Sequence, residues 1–334
     1  MTSSVPITEN LMKSFQASKT FKYHKVDSPI TSIDFDDSGQ YLISSGVDES
    51  IQLYDVNKGK HSKSIFSKKY GVHLARFTHH EKNCLYASTK EDHTIRYLSL
   101  HDNSYLRYFR GHRAQVTALE MAPVDDVFLS SAYDDSVRVW DLRSSACQGF
   151  MNCKAPSLIS FDPTGMVFGI GSNNTNEIGL YDFRNYDKDP FATFDINVNM
   201  NWNKLEFSND GKYLIVTDAA NECHLVVDAF DGVIRAKLIG TKKFPNRNYP
   251  STGSTTISPD GRFVYGGSGN RSVMIWDLQE IQKDDINKQI FPCKELNSDQ
   301  GLPRMCLFNP RMLTFATADT AVTLWLTDSK NSMI

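Results

Sequence analysis

The sequence predicts an all-β chain closed into a seven-bladed propeller, and three spacings carry that prediction. The first is a series of strand endings. Val137-Arg138-Val139-Trp140-Asp141 closes the clearest unit, and equivalent endings stand at Tyr54, Leu98, Tyr181, Val227, Trp276 and Trp325, at successive steps of 44, 42, 41, 46, 49 and 49 residues. Short apolar stretches punctuated by turn residues at this period read as repeated antiparallel sheets. The second is a glycine 15 or 16 residues before four of those endings: Gly39, Gly165, Gly211 and Gly261, each preceded by Ser, Thr or Asp. Glycine supplies the positive φ of a tight hairpin turn, and short polar neighbours bond to the turn backbone. The third is an acid six residues before the ending, at Asp48, Asp92, Asp134 and Asp319, with Asn221, Asn270 and Thr175 in its place elsewhere.

Seven such units suit a closed ring, which leaves only short, protected sheet edges. The segment from Leu11 to Phe15 matches the outer-strand segment from Tyr105 to Phe109 and precedes the first complete unit. It is therefore expected to be the N-terminal strand that closes the last blade. No Pro- or Gly-rich linker interrupts the series. The expected organisation is a flexible N-terminus (1–10), one propeller (11–327) and a flexible C-terminus (328–334). Long loops are expected at 241–251 and 279–288.

Composition narrows the function. A net charge of -3 argues against general nucleic-acid binding, which needs an excess of Lys and Arg, though it leaves room for a local basic patch. No apolar run nears the roughly 18–20 residues of a spanning helix, and the polar first ten residues do not read as a secretory signal. Six scattered cysteines without a Cys-x-x-Cys pair read as reduced thiols of an intracellular protein.

His112, Ser130 and Asp134 look like a catalytic triad, but Trp140 points elsewhere. A buried indole N–H needs an acceptor. A Trp140–Ser130–His112–Asp134 chain of hydrogen bonds supplies one and ties loops to strands, with Ser131 as the alternative hydroxyl. A nucleophile would also need an oxyanion hole and a cleft, and no motif announces them. His79, His80, Glu81 and Cys84 sit in a hairpin turn without paired zinc-ligand spacing, and read as polar and solvated. No calcium loop or phosphate-binding glycine loop is present. The expectation is a non-catalytic chain without cofactor or metal.

Strand direction sets a candidate partner surface. The loop leading into each first strand and the loop leaving the second lie at one end of the ring. Lys68, Lys69, Arg110, Arg113, Lys242, Lys243 and Arg247 share that end with the acids Glu49, Glu91 and Asp92. Basic residues on an acidic chain would dock an acidic or phosphorylated segment. Direct RNA binding needs exposed aromatics beside cations, a mixture the sequence offers only at 242–249.

Several segments are more specific than the repeat punctuation. They include Ser67-Lys68-Lys69-Tyr70-Gly71-Val72, Tyr108-Phe109-Arg110-Gly111-His112, Trp140-Asp141-Leu142-Arg143-Ser144 and Phe207-Ser208-Asn209-Asp210-Gly211-Lys212. With Met121-Ala122-Pro123-Val124-Asp125-Asp126 and Asp228-Ala229-Phe230, they make the chain from about residue 29 to 325 resemble one WD-repeat family. This family is the subunit shared by the COMPASS histone-lysine methyltransferase complex and the cleavage-and-polyadenylation factor. The resemblance implies a nuclear, non-enzymatic subunit, monomeric within its assembly. It also implies the phosphorylated tail of RNA polymerase II as a partner, and no membrane or sequence-specific nucleic acid. The competing reading is a cullin-based ubiquitin-ligase adaptor. Asp134, Trp140, Asp141 and Arg143 have the spacing of the box such adaptors present to their linker protein, and three of the four are also ordinary repeat positions.

Overall fold

The computed structural model describes residues 7–220, 222–246, 249–298 and 301–327. Seven antiparallel sheets form in chain order, each strand pairing with the next. Blade 1 comprises Ile30–Phe35, Tyr41–Gly46, Ser50–Asp55 and Lys60–Phe66. Blade 2 comprises His73–Phe77, Asn83–Ala87, Ile95–Ser99 and Tyr105–Phe109; blade 3, Val116–Met121, Val127–Ala132, Ser136–Asp141 and Cys147–Asn152. Blade 4 comprises Ser157–Phe161, Val167–Ser172, Glu177–Asp182 and Ala192–Asp195; blade 5, Trp202–Phe207, Tyr213–Asp218, His224–Asp228 and Ile234–Leu238. Blade 6 comprises Thr255–Ile257, Phe263–Ser268, Ser272–Asp277 and Lys294–Asn297; blade 7, Met305–Phe308, Thr314–Ala318, Val322–Thr327 and the N-terminal Phe15–Phe21. Each of the seven endings read from the sequence lies in a third strand, and the four hairpin glycines have φ between 69° and 72°.

The core lies between the blades. Each hydrophobic cluster is shared by two neighbours: Ile51 of blade 1 with Tyr86 of blade 2, Phe109 of blade 2 with Trp140 of blade 3, and so on to Leu324 of blade 7 with Tyr54 of blade 1. That last cluster closes the ring. Inner-strand hydrogen bonds repeat the linkage. Ala75 and Phe77 of blade 2 donate their N–H groups to Ser32 and Asp34 of blade 1, at 2.9 and 2.7 Å. Phe308 of blade 7 donates to Thr256 of blade 6 at 3.0 Å. An apolar side chain on one sheet face thus becomes core only when the next blade stacks on it.

The closing strand differs from the expectation. It runs over Phe15–Phe21, not from Leu11 to Phe15, and pairs from Phe15 opposite Thr327 to Phe21 opposite Val322. Phe109 likewise sits opposite Ile95 at the start of its third strand, so the register equivalent of Phe109 is Phe21. Residues Glu9–Met12 instead form one helical turn, because the Thr8 hydroxyl accepts the Leu11 N–H at 3.3 Å as an N-cap. Met12 is fully buried and its carbonyl accepts the Tyr265 hydroxyl at 2.9 Å, which pins the arm to blade 6. The stretch expected as a loop at 279–288 also carries structure. It leads into Lys288–Ile290, which adds a fifth, parallel strand to the outer edge of blade 5. Residues 1–6 and 328–334, expected to be flexible, lie outside the described residues.

Candidate functional site: the polar tetrads and the two ends of the ring

The loop between blades 2 and 3 brings His112 over blade 3. The Trp140 indole N–H donates to Ser130 Oγ at 2.8 Å. Ser130 Oγ lies 2.7 Å from His112 Nε2, and His112 Nδ1 lies 3.2 Å from both Asp134 oxygens. Ser136 and the Arg113 N–H add bonds to Asp134 at 2.6 and 2.8 Å. A neutral imidazole with its proton on Nδ1 satisfies every partner in this run. Burial pushes the His112 pKa down to about 4, outweighing the nearby Asp134 charge. Burial alone would raise Asp134, but the bonds from Ser136, Arg113 and His112 hold it below the usual carboxylate range. Ser130 is 0% exposed and the His112 ring 1% exposed, with the serine oxygen committed on both sides. An acyl-transfer nucleophile needs an accessible oxygen beside an open site.

Blade 1 repeats the arrangement with Asp48 and Tyr54, which the repeat spacing marks, and with His24 and Ser44, which it does not. His24 Nε2 lies 2.7 Å from Ser44 Oγ, its Nδ1 lies 3.0 Å from Asp48, and Tyr54 replaces the indole, 3.2 Å from Ser44. His24 precedes Tyr54 by 30 residues where His112 precedes Trp140 by 28, so counting back misses it. Blade 2 substitutes a different set. Tyr70 occupies the histidine's place and lies 3.6 Å over the Arg96 guanidinium, which bonds Asp92 through two nitrogens at 2.9 Å and also reaches Ser88. Arg96 pulls the Asp92 pKa down to about 2.

The basic residues divide into two groups. Lys68 and Lys69 precede blade 2 and Arg110 and Arg113 precede blade 3, whereas Lys242 and Lys243 lie between blades 5 and 6. They share one end of the ring but not one cluster, because blades 3, 4 and 5 intervene. Arg247 lies outside the described residues, as does Asn221. Lys243 pairs with Glu222, and the Lys242 N–H donates to Ser268 at 2.8 Å. Lys90 is paired with Glu49. Lys68, Lys69, Arg110 and Arg113 are exposed and form no ion pair among the described residues. Aromatic rings support three of them: Lys68 over Phe66, Lys69 over Tyr70 and Arg110 over Tyr108, at 5.9, 5.1 and 5.3 Å. The sequence placed such a mixture only at 242–249; folding assembles a second from the Phe66–Tyr70 loop and the outer strand of blade 2.

The opposite end holds Asp141 and Arg143. Arg143 is 79% exposed and its guanidinium grips Asp141 at 2.7 and 2.9 Å. Asp134 and Trp140, the other members of the adaptor box, are held in the tetrad, with Asp134 at the far end of the ring. His79 departs from the solvated-turn reading. It lies 2.7 Å from Asp37 of blade 1 and 3.0 Å from the Ala122 carbonyl of blade 3, bridging three blades. Cys84 is fully buried in the blade core, away from that turn.

A closed ring of seven repeated antiparallel blades, one of them carrying the full Trp–Ser–His–Asp hydrogen-bonded run, defines a protein of the WD-repeat β-propeller class. The family model "WD domain, G-beta repeat" matches residues 15–55, 103–141 and 251–277. Beyond that class, the chain is 43% identical over 324 residues to "COMPASS component SWD2" of Saccharomyces cerevisiae, covering 96% of this chain and 97% of the relative. It is 39% identical to "WD repeat-containing protein 82" of Drosophila melanogaster, over 98% of this chain and 99% of that one. It is 35% identical to "Set1 complex component swd2" of Schizosaccharomyces pombe, over 96% and 99%. The chain belongs to this family of WD-repeat proteins.

Proposed function

We propose that the chain is a non-catalytic subunit of a nuclear Set1/COMPASS-type histone-lysine methyltransferase assembly, in which the propeller presents its ends and rim to other subunits. The observation that carries this reading is identity of 43% spread over 96% of the chain and 97% of a relative bearing that complex's name. Such coverage reaches the surface loops, where binding residues concentrate. A fold alone supports no such assignment, since one propeller architecture hosts many unrelated functions. Buried Ser130 and His112 support the non-catalytic part.

Two finer assignments belong to the same proposal. Membership of the cleavage-and-polyadenylation factor rests on the sequence resemblance. Docking of the phosphorylated RNA polymerase II tail at Lys68, Lys69, Arg110 and Arg113 rests on four exposed cations without an internal counter-charge. The ligase-adaptor reading has less support, because only Asp141 and Arg143 of its box remain available, and they bind each other. Affinity purification of the tagged full chain from nuclear extract tests the set. Co-purification of a SET-domain methyltransferase is the expected result. Its absence, with ligase linker protein recovered instead, would replace this reading with the competing one, and recovery of 3'-end processing subunits decides the second assembly.

A further inference from the structure

The channel along the ring axis encloses about 280 Å³ and is lined largely by first-strand residues of successive blades. Three carboxyl groups face it, Asp34, Glu120 and Glu206, against two bases, Arg76 and Lys204. At one mouth, Asp37 is held by His79 at 2.7 Å. Lys204 is committed locally, 2.9 Å from Glu206 and 2.8 Å from the Thr255 carbonyl. Arg76 donates to the carbonyls of Ile33 and Leu119, both at 3.2 Å. It stands 3.8 Å from Asp34 and 3.8 Å from Glu120, beyond hydrogen-bond reach of either. With all three carboxyl groups ionised, one negative charge would lack a counter-charge, and burial accordingly raises the pKa of both Asp34 and Glu120. Glu120 accepts no hydrogen bond among the described residues.

Neutral acceptors are left open in the same channel. His73 is only 4% exposed, and among the described residues neither its Nδ1 nor the buried Asn203 Oδ1 has a hydrogen-bond partner. Buried polar atoms in native folds are otherwise nearly always paired. Water can satisfy these acceptors but cannot balance the charge that appears when the buried carboxyl groups ionise. A metal ion suits the site poorly, since no group of three or more His, Cys, Asp or Glu converges among the described residues. Acceptors spread along a channel fit a cation that carries its charge on several N–H donors.

We propose that the channel binds one nitrogenous cation, an ammonium or guanidinium head on a narrow stem, beside Asp34 and Glu120, with His73 and Asn203 as neutral acceptors. A free polyamine and a Lys or Arg side chain inserted by a partner share this chemistry. Burial pushes the Asp34 pKa up to about 7 against the pull of Arg76, so a bound cation draws Asp34 into its ionised form and releases protons near neutral pH.

Calorimetric titration of the full chain tests the proposal, with spermidine and with capped Gly-Arg-Gly peptide, in two buffers of different protonation enthalpy. The expected result is saturable binding of at least one probe, with proton release. Affinity should fall by about tenfold or more, the effect of roughly one unit of pKa-scale interaction, in Glu120→Gln, Asp34→Asn or both. Binding of spermidine alone assigns a free polyamine, and binding of the peptide alone assigns an inserted side chain. Absence of saturable binding by either probe overturns the proposal. So does unchanged affinity in both variants when their thermal unfolding matches wild type.

Discussion

Trp140 and Asp134 lie toward opposite ends of one strand and never touch, yet three hydrogen bonds through Ser130 and His112 join them, at 2.8, 2.7 and 3.2 Å. The run crosses from the third strand to the second, out to the loop between blades and back to the turn before the third strand. It is a polar brace that ties two strands and the loop between blades together. Removing its centre should expose what it contributes. His112→Ala should lower stability by about 1–3 kcal/mol, since Ser130 and Asp134 lose a buried partner. His24→Ala should act in the same direction on blade 1. Chemical denaturation measures both, and an unchanged midpoint for His112→Ala would show that the brace carries no stability.

Closure of the ring rests on the N-terminal strand. Phe15 is 2% exposed and meets Tyr265, Phe308 and Phe315 edge-on at ring-centre distances of 5.9, 5.9 and 5.0 Å. Phe15→Ala should cost about 3–5 kcal/mol, as for other buried phenylalanines. Blade 7 should also become the first site of proteolytic cleavage. Cleavage that starts elsewhere would place the weakest seam in another blade.

Acid should weaken the fold from an unusually mild pH. Burial pushes His224 down to about 3 and His73 and His112 to about 4. An unfolded histidine titrates near about 6.5. As pH falls the unfolded chain takes up protons first, so the stability these groups contribute is whole above about 6.5 and declines toward 4. Asp48 opposes its burial through His24 and backbone bonds and sits at about 2, so its contribution persists until the pH falls through that value. Asp34 has the reverse sign: its folded pKa of about 7 makes its contribution full below the unfolded carboxyl value and lost as pH rises through 7. Urea midpoints measured from pH 8 to 4 should fall below 6.5. His224→Asn keeps an acceptor for the Asp218 N–H and should flatten that fall; a profile as steep as wild type would remove His224 from the account.

The cations before blades 2 and 3 should govern phosphopeptide binding. Charge reversal at Lys68, Lys69 and Arg113 together should weaken binding of a phosphorylated polymerase-tail peptide, and added salt should weaken the wild type. These side chains are exposed, so the variant should unfold at the wild-type temperature. Equal binding by the folded triple variant would locate the partner elsewhere on the ring.

Arg143→Ala separates adaptor from ligase receptor. It should leave the denaturation midpoint unchanged and leave methyltransferase subunits bound. If the protein serves a cullin ligase, the same change should abolish co-purification of the linker protein.

The blades themselves were legible because their signals are local. Turn glycines at 39, 165, 211 and 261, the acids before four of the third strands and the alternating apolar runs each act within a few residues, where backbone sterics and short hydrogen bonds decide the outcome. Trp140 could be assigned partners in advance because an indole N–H in a strand must find an acceptor nearby. The closing strand was legible in kind but not in register. Leu11 to Phe15 has the outer-strand pattern, yet the Thr8 cap turns it into a helical turn, and Phe21 opposite Val322 sets the pairing.

What the amino-acid sequence determined by itself is therefore the repeat, its seven copies and the residue types at each repeated position. The tertiary structure alone decided how copies combine around the ring. It separated Lys242 and Lys243 from Lys68 and Lys69 by three blades, stacked Tyr70 on Arg96, and made His79 a bridge between blades rather than a solvated turn residue. It also gathered Asp34, Arg76, Glu120, Lys204 and Glu206, from blades 1, 2, 3 and 5, around one channel. Such groupings depend on the angle at which one rigid sheet stacks against the next, and side-chain packing between blades sets that angle, which no periodicity within a single repeat records.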